Sequence, residues 1–399
     1  MECGAPRASR VLAGGRRVRV SRGASRLVKL AIVRQRFNPY GGAERIVARL
    51  MPYLEQSGTD VTLIARKAEG WGARRVLQVD PFYAGSLWRD RSFARAARKA
   101  WLREGFDVVQ SHERIPGCDV YRAGDGVHRR WLEIRRETAS VWEKAKLALN
   151  PYHRYVCNAE KSLFEHPRLR AVICNSKMVR EEIRRAFRIA PEKLHVIYSG
   201  VDLEQFHPRE RERRRGAARA ELGCSPRDTV FVFVGSGFSR KGLGTAIEAL
   251  KRAANDAFWL VVVGRDRAEE RFRKQARVAG LERRTRFVGG QDDVRALYAA
   301  ADCFILPSRY DPFPNTALEA LAMGLPAIVS SGCGAAEIIQ PGVNGWVCRP
   351  NDPAQLSILM QQADQAVRSG GLGSAARATA ERFGLDAMAQ KMAKLYSSL

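Results

Sequence analysis

Leu27-Val28-Lys29-Leu30-Ala31-Ile32-Val33 runs into a turn at Asn38-Pro39-Tyr40-Gly41-Gly42, and the residues beyond it change period. Ile46, Val47, Leu50, Met51 and Leu54 recur at spacings of three and four, the mark of a helix with one apolar face. Asp60-Val61-Thr62-Leu63-Ile64-Ala65 then reads as a second strand. Strand, glycine turn, helix, strand is the opening of a parallel α/β sheet, because parallel neighbours need a crossover and a helix supplies it. Further strands are expected at 106–111 and 171–174.

The stretch 202–228 interrupts this alternation with the charge run Arg209-Glu210-Arg211-Glu212-Arg213-Arg214-Arg215, which reads as a solvated linker or helix face. The alternation then restarts. Strands are expected at 229–234, 258–263, 284–288, 302–306, 326–330 and 345–348, and helices at 242–254, 268–279, 293–300, 315–323 and 353–367. A chain of 399 residues suits two domains. Two βα blocks joined by a charged link predict two doubly wound, Rossmann-like α/β domains facing a cleft.

Composition narrows the class. Lys and Arg number 68 against 42 Asp and Glu, a formal +26, which calls for a polyanionic partner, either nucleic acid or an acidic membrane surface. No apolar run approaches the roughly 18 residues of a membrane span. The eight cysteines, at 3, 118, 157, 174, 224, 303, 333 and 348, form no C-x-x-C pair, so a zinc site or disulfide framework is not expected and a reduced cytoplasm is. Residues 1–27 hold seven arginines and no sustained apolar run, and read as a disordered basic arm rather than a secretion signal.

Ligands in such sheets bind beyond the carboxyl ends of the strands. Three loops qualify. Asn38–Arg45 brings Gly41 and Gly42 to a helix start, where free N–H groups suit a phosphate; a plain turn is the alternative. Val234-Gly235-Ser236-Gly237-Phe238-Ser239-Arg240-Lys241-Gly242 sets two cations at an expected helix start, where the dipole disfavours them unless a diphosphate is bound; an exposed basic turn is the alternative. Ser308–Leu321 places Asp311 in a loop and Glu319 on an apolar helix, where a buried acid needs a partner such as a sugar diol. No D-x-D metal pair occurs.

Taken together these elements resemble the retaining family 4 glycosyltransferases. The spacing from Asp311 to Glu319 with LEALAMGLPAIVS matches the family's E-x7-E region. Gly41-Gly42, Asn175-Ser176, the segment Val196–Pro208 and the loop Gly235–Gly242 match its other motifs in order, over about residues 28–399. Within the family, Arg114–Asp125 and Val234–Leu243 resemble the lipopolysaccharide core glucosyltransferases.

The resemblance implies the GT-B fold, with an N-terminal acceptor domain at 28–200, a linker at 201–228, a nucleotide-sugar domain at 229–380, and a last helix at 381–399 packing back on the first domain. It implies that Glu319 holds the ribose, that Asp311 meets the sugar hydroxyls, and that Lys241 with Arg240 neutralises the diphosphate. Gly41, Gly42, Asn315 and Thr316 offer N–H groups, and Phe313 lies in the same donor loop. His112 is expected on a sugar hydroxyl and Asp125 as acceptor of the acceptor's proton. Asp311 stands where the family usually has Glu, and Ser236 where it commonly has Arg.

The expected reaction moves a hexose, UDP the expected carrier, to a lipopolysaccharide core or related glycolipid. It retains configuration and needs no metal or cofactor beyond the nucleotide sugar. Exopolysaccharide or O-antigen transfer, a nucleotide-sugar epimerase and a nucleic-acid-binding protein are the alternatives; no nucleic-acid-reading motif is present.

Basic stretches at 91–104 and 129–156 contain tryptophans. In the second, Trp131, Thr138, Trp142, Ala145 and Leu149 share one helical stripe flanked by Arg129, Arg130, Arg135, Arg136, Lys144 and Lys146. A core-facing stripe is the alternative, but the resemblance favours peripheral attachment to the anionic inner membrane face.

Overall fold

The structure, a computed structural model, describes Met1 and residues 28–37, 42–56 and 58–399. The arm expected before residue 28 lies outside the rest of the described residues, as do Asn38–Gly41. Nine strands belong to the first half: β1 (Val28–Val33), β2 (Arg36–Phe37), β3 (Thr59–Ala65), β4 (Lys67–Ala68), β5 (Val76–Gln78), β6 (Val108–Ser111), β7 (Val120–Ala123), β8 (Ala171–Cys174) and β9 (Leu194–Val196). Six belong to the second: β10 (Thr229–Val234), β11 (Phe258–Val263), β12 (Thr285–Gly289), β13 (Cys303–Leu306), β14 (Ala327–Ser330) and β15 (Gly345–Cys348).

Seven strands form a parallel sheet in the order β5-β3-β1-β6-β7-β8-β9, and six form another in the order β12-β11-β10-β13-β14-β15. Both orders reverse beside the first strand of the block, at β1/β6 and β10/β13. That is the switch point where loops splay apart and open a crevice. The expected doubly wound pair is therefore the observed one. The central strand β10 is almost wholly apolar, as a strand covered on both faces is expected to be: Val230–Val234 are all buried. The short strands β5, β7 and β9 escaped sequence reading. They run three or four residues, and β7 carries an arginine in its middle.

The segment expected as a linker is folded. Pro208–Leu222 is a helix packed on the helix Arg295–Ala300. Arg211 and Arg215 of the charge run, with Arg219 one turn beyond it, converge on buried Asp302, Arg219 at 3.1 Å. They also meet the last carbonyls of that helix, Arg219 on Ala300 O at 3.0 Å and Arg215 on Ala301 O at 2.9 Å. Cations at a helix C-terminus are where the dipole favours them. A good part of the charge run is thus internal to the second domain, and the solvated reading fails on its inward face.

The last helix, Leu385–Ser397, crosses back: Leu385, Met388, Met392 and Tyr396 join the core of the first domain. The two domains touch directly. Glu337 caps the helix Lys177–Ala186 of the other domain, accepting from Lys177 N at 2.9 Å and Met178 N at 2.6 Å. An acid at a helix N-terminus satisfies orphan donors and meets the positive dipole end.

Candidate active site

Between the domains lies a cavity of 1080 Å3 whose second-domain wall is built by the loops after β10, β11, β12 and β13. The loop after β10 folds into a short helix, Phe238–Lys241, followed after Gly242 by the helix Leu243–Ala253. Arg240 and Lys241 thus occupy the last turn of one helix, and the dipole conflict expected at a helix start does not arise. Gly235 is required here because a Cβ would lie 2.7 Å from the Lys241 side chain, and Gly242 because one would lie 2.0 Å from Pro307 O.

Lys241 and Arg240 both reach Asp311. Lys241 Nζ donates to its Oδ2 at 2.9 Å, and Arg240 Nη1 lies 3.4 Å from the same oxygen while donating to Tyr310 O at 2.8 Å. Asp311 is buried, which by itself raises a carboxyl pKa, yet the two cations outweigh burial and hold it below the ordinary aspartate value. One carboxylate against two cations leaves this cluster net positive, while Arg265, Asp292 and Glu319 line the same cavity. The sequence placed the three groups in one site without foreseeing this pairing.

Asn315 and Thr316 open the helix Asn315–Ala322, and Thr316 Oγ1 donates to Val234 O at 3.4 Å. Glu319, buried one turn on, accepts from the Tyr298 hydroxyl at 3.0 Å and also lines the cavity. Phe313 is buried beside Tyr198 and lines the same space. Gly42 opens the helix Gly42–Gln56, while Gly41 lies outside the described residues.

The first-domain wall carries Asp125, His128 and Trp131. Asp125 is exposed to the cleft beyond β7. His112 is set deeper and lines a small adjoining pocket that shares Gly124, Asp125, Phe313 and Asn315 with the cavity. Its Nε2 lies 3.0 Å from Gln110 Nε2, and Gln110 Oε1 accepts from the Tyr396 hydroxyl at 2.7 Å. With that oxygen taken, Gln110 presents its amide N–H to Nε2, which leaves the proton on Nδ1. Burial, then Arg34 and Arg122, push His112 well below the ordinary histidine value, so the ring is neutral.

Tyr310 was missed by sequence reading. It stacks 6.3 Å from Trp131, donates to Glu182 at 2.6 Å and accepts from Val127 N at 3.0 Å, all across the cleft. Its neighbour Arg309 donates to Ile134 O at 3.0 Å and to Thr138 Oγ1 at 2.7 Å. Its signal was an aromatic directly beside Asp311. Trp131, read as a membrane residue, faces the cleft instead: Ser140 caps a new helix at Val141, so the expected stripe over 129–156 breaks into three helices. Trp101 is 2% exposed and belongs to the core, so 91–104 offers no interfacial tryptophan. Among the described residues, no cluster of three His, Cys, Asp or Glu is placed to hold a metal ion.

The model of the glycosyltransferase family 4 matches residues 40–205, and that of the group 1 glycosyl transferases matches residues 215–364. A probable transglycosylase of Burkholderia thailandensis is 27% identical over 348 residues, 85% of this chain and 88% of its own. The lipopolysaccharide glucosyltransferase WaaG of Escherichia coli is 24% identical over 82% of this chain and 87% of its own. A crystal structure of WaaG aligns with a TM-score of 0.80 over 93% of this chain and 100% of its own, at 23% identity. Anabaena HepE, solved in complex with UDP-glucose, aligns at 0.70 and 22% identity, over 93% of this chain and 100% of its own.

The neutral His112 has a consequence for stability. Its folded value lies below the unfolded 6.5, so the unfolded chain takes up more protons as pH falls, and stability present above 6.5 is lost below it. The fall in melting temperature between about pH 7 and pH 5 is therefore shallower in His112→Gln than in the parent. Equal slopes would show that His112 is not held neutral.

Proposed function

We propose that this chain, which belongs to the glycosyltransferases described by the family 4 and group 1 models, moves a hexosyl unit from a UDP-linked sugar to a glycolipid of the lipopolysaccharide-core type. The observation that carries this reading is the cation pair Arg240–Lys241 on the cavity wall, which among the described residues shares the one carboxylate Asp311 within 4 Å. Such a pair offers positive charge to a leaving diphosphate before any substrate arrives. The names of relatives support carrier and acceptor: WaaG is a lipopolysaccharide glucosyltransferase, and HepE was solved with UDP-glucose.

In this reading Glu319 accepts hydrogen bonds from the ribose hydroxyls, and the N–H groups of Asn315 and Thr316 meet the diphosphate. Lys241 and Arg240 exchange Asp311 for phosphate oxygens. The bond from the sugar's anomeric carbon to the diphosphate breaks, and the electron pair leaves with UDP. The acceptor hydroxyl attacks from the face the diphosphate vacates, and Asp125 takes its proton. His112, with Nδ1 protonated, donates to a sugar hydroxyl. Configuration is retained, and the fixed cations replace a metal. Incubation with a panel of UDP-sugars and a core-type acceptor, followed by proton NMR, yields a product with the donor's anomeric configuration at a rate that EDTA leaves unchanged. An inverted linkage refutes retention; loss with EDTA, restored by a metal, refutes metal independence.

The acceptor's lipid sets a second expectation. No helix among the described residues is long and apolar enough to cross a membrane. The helix Val141–Leu149 exposes Val141, Trp142 (81%) and Leu149 beside Lys144 and Lys146, a composition suited to an anionic interface. Flotation with phosphatidylglycerol vesicles should recover the parent chain, and Trp142→Ser with Leu149→Ser should lose more than half of the bound fraction, about the effect of removing two interfacial anchors. Unchanged recovery places any membrane contact elsewhere.

A further inference from the structure

The small pocket beside the reaction cavity holds charge that the chemistry above leaves unused. It measures 60 Å3. Arg34, His112, Asn175 and Ser199 line it from just beyond β1, β6, β8 and β9, and Arg122 reaches it from within β7. Every other residue of β7 is packed into the apolar cores, so Arg122 stands where a strand of this kind carries an aliphatic side chain. It is 8% exposed, and its Nη1 has no hydrogen-bond partner. Asn175 Oδ1 in the same pocket also has none. Asp125, at the mouth shared with the larger cavity, is the one carboxylate among the lining residues, and no ion pair within 4 Å joins it to Arg122.

Burial and the neighbouring Arg34 guanidinium push Arg122 down to about 10, which leaves it charged at neutral pH. A buried guanidinium with an unspent donor is costly unless an anion meets it. Its planar fork matches a carboxylate through two parallel hydrogen bonds. The pocket's volume corresponds to about four to six waters at ~10–15 Å3 each, room for a sugar substituent and not for a ring. In the reading above Glu319 meets the ribose and Lys241 with Arg240 the diphosphate; these three line the large cavity and not the pocket, which joins it at Gly124, Asp125, Phe313 and Asn315. His112 and Asp125, assigned above to a sugar hydroxyl and the acceptor's proton, both line the pocket and set it at the sugar end in that reading. The group of a hexose that reaches out of the ring as a short arm is its exocyclic carbon, and oxidised to the acid that carbon is a carboxylate.

We propose that the pocket receives the carboxylate of a hexuronic acid carried by the nucleotide sugar, with Arg122 as the specificity-determining residue and Arg34 as its second cation. This rests on the nucleotide-sugar reading above and sharpens its donor. A neutral hydroxymethyl group in the same place leaves the Arg122 charge unmet.

Calorimetry on the full chain with UDP, UDP-glucose, UDP-glucuronate and UDP-galacturonate tests it. One of the hexuronates binds about 10- to 100-fold tighter than UDP-glucose. Arg122→Met removes that preference while the affinity for UDP alone stays within about twofold, and Arg122→Lys keeps part of it. UDP binding in each variant shows that the fold and the nucleotide site are intact. UDP-glucose binding as tightly as both hexuronates, with UDP bound normally, overturns the proposal and leaves the glycosyltransferase reading standing. If free glucuronate binds the UDP-loaded parent but not Arg122→Met, and the donors show no preference, the carboxylate belongs to the acceptor and the donor assignment is wrong. Failure of UDP itself to bind removes the UDP reading and this proposal with it.

Discussion

Two cations share one buried carboxylate. Lys241 and Arg240 meet at Asp311, and the surrounding structure is arranged to keep them there. A buried charge is tolerable only when paired and hydrogen-bonded, and this group is paired on one side only. Gly235 and Gly242 lack side chains because Lys241 and the Pro307 carbonyl occupy the space. The same loop, Ser308–Pro314, that delivers Asp311 also delivers Tyr310 and Arg309 to the other domain and leads into the helix that starts at Asn315. One stretch of seven residues therefore supplies the acid that holds the two cations, a set of contacts to the other domain and the approach to a helix N-terminus.

The first domain answers with groups tuned by distant elements. The tautomer of His112 follows from a relay of two hydrogen bonds that begins at Tyr396, near the end of the chain. The last helix thus does more than cover apolar surface: by returning to the first domain it fixes which nitrogen carries the proton. Where charge must be hidden rather than used, the fold spends carboxylates on it. Asp302 gathers Arg211, Arg215 and Arg219, and Glu160 holds Arg114 at 2.8 Å. The +26 of the sequence is in part an internal quantity.

The alternation of periods made the architecture legible. Strands such as Thr229–Val234 and Phe258–Val263 are long and apolar but for Thr229, and the helices between them repeat at three and four, so their positions could be read to within a residue or two. The cavity-lining loops were legible because glycines, cations and acids follow strand ends there. Four-residue strands with an apolar run, such as Ala171–Cys174 and Ala327–Ser330, were legible, whereas β5 and β9, three residues each, and β7, interrupted by Arg122, were not. Nor were pairings between distant residues, because Tyr310 with Glu182 across the cleft and Lys241 with Asp311 within one wall are separated by 128 and 70 residues and depend on tertiary placement. Trp131 shows the converse error. Its spacing to Trp142 is helical only if one helix runs through, and Ser140 ends that continuity with a capping box. Arg122 did leave a signal, a charge inside an apolar tetrapeptide, and only burial on both sides gives it meaning.

Calorimetric titration of UDP into the parent chain and Asp311→Asn addresses the pairing on which the account rests. If Asp311 is the counterion that a diphosphate must displace from Lys241 and Arg240, neutralising it leaves both cations free for the ligand. UDP then binds about tenfold tighter, as removal of a competing carboxylate at this distance should allow. Equal or weaker UDP binding in Asp311→Asn would contradict the account, because the cations would then not be the groups that receive the diphosphate.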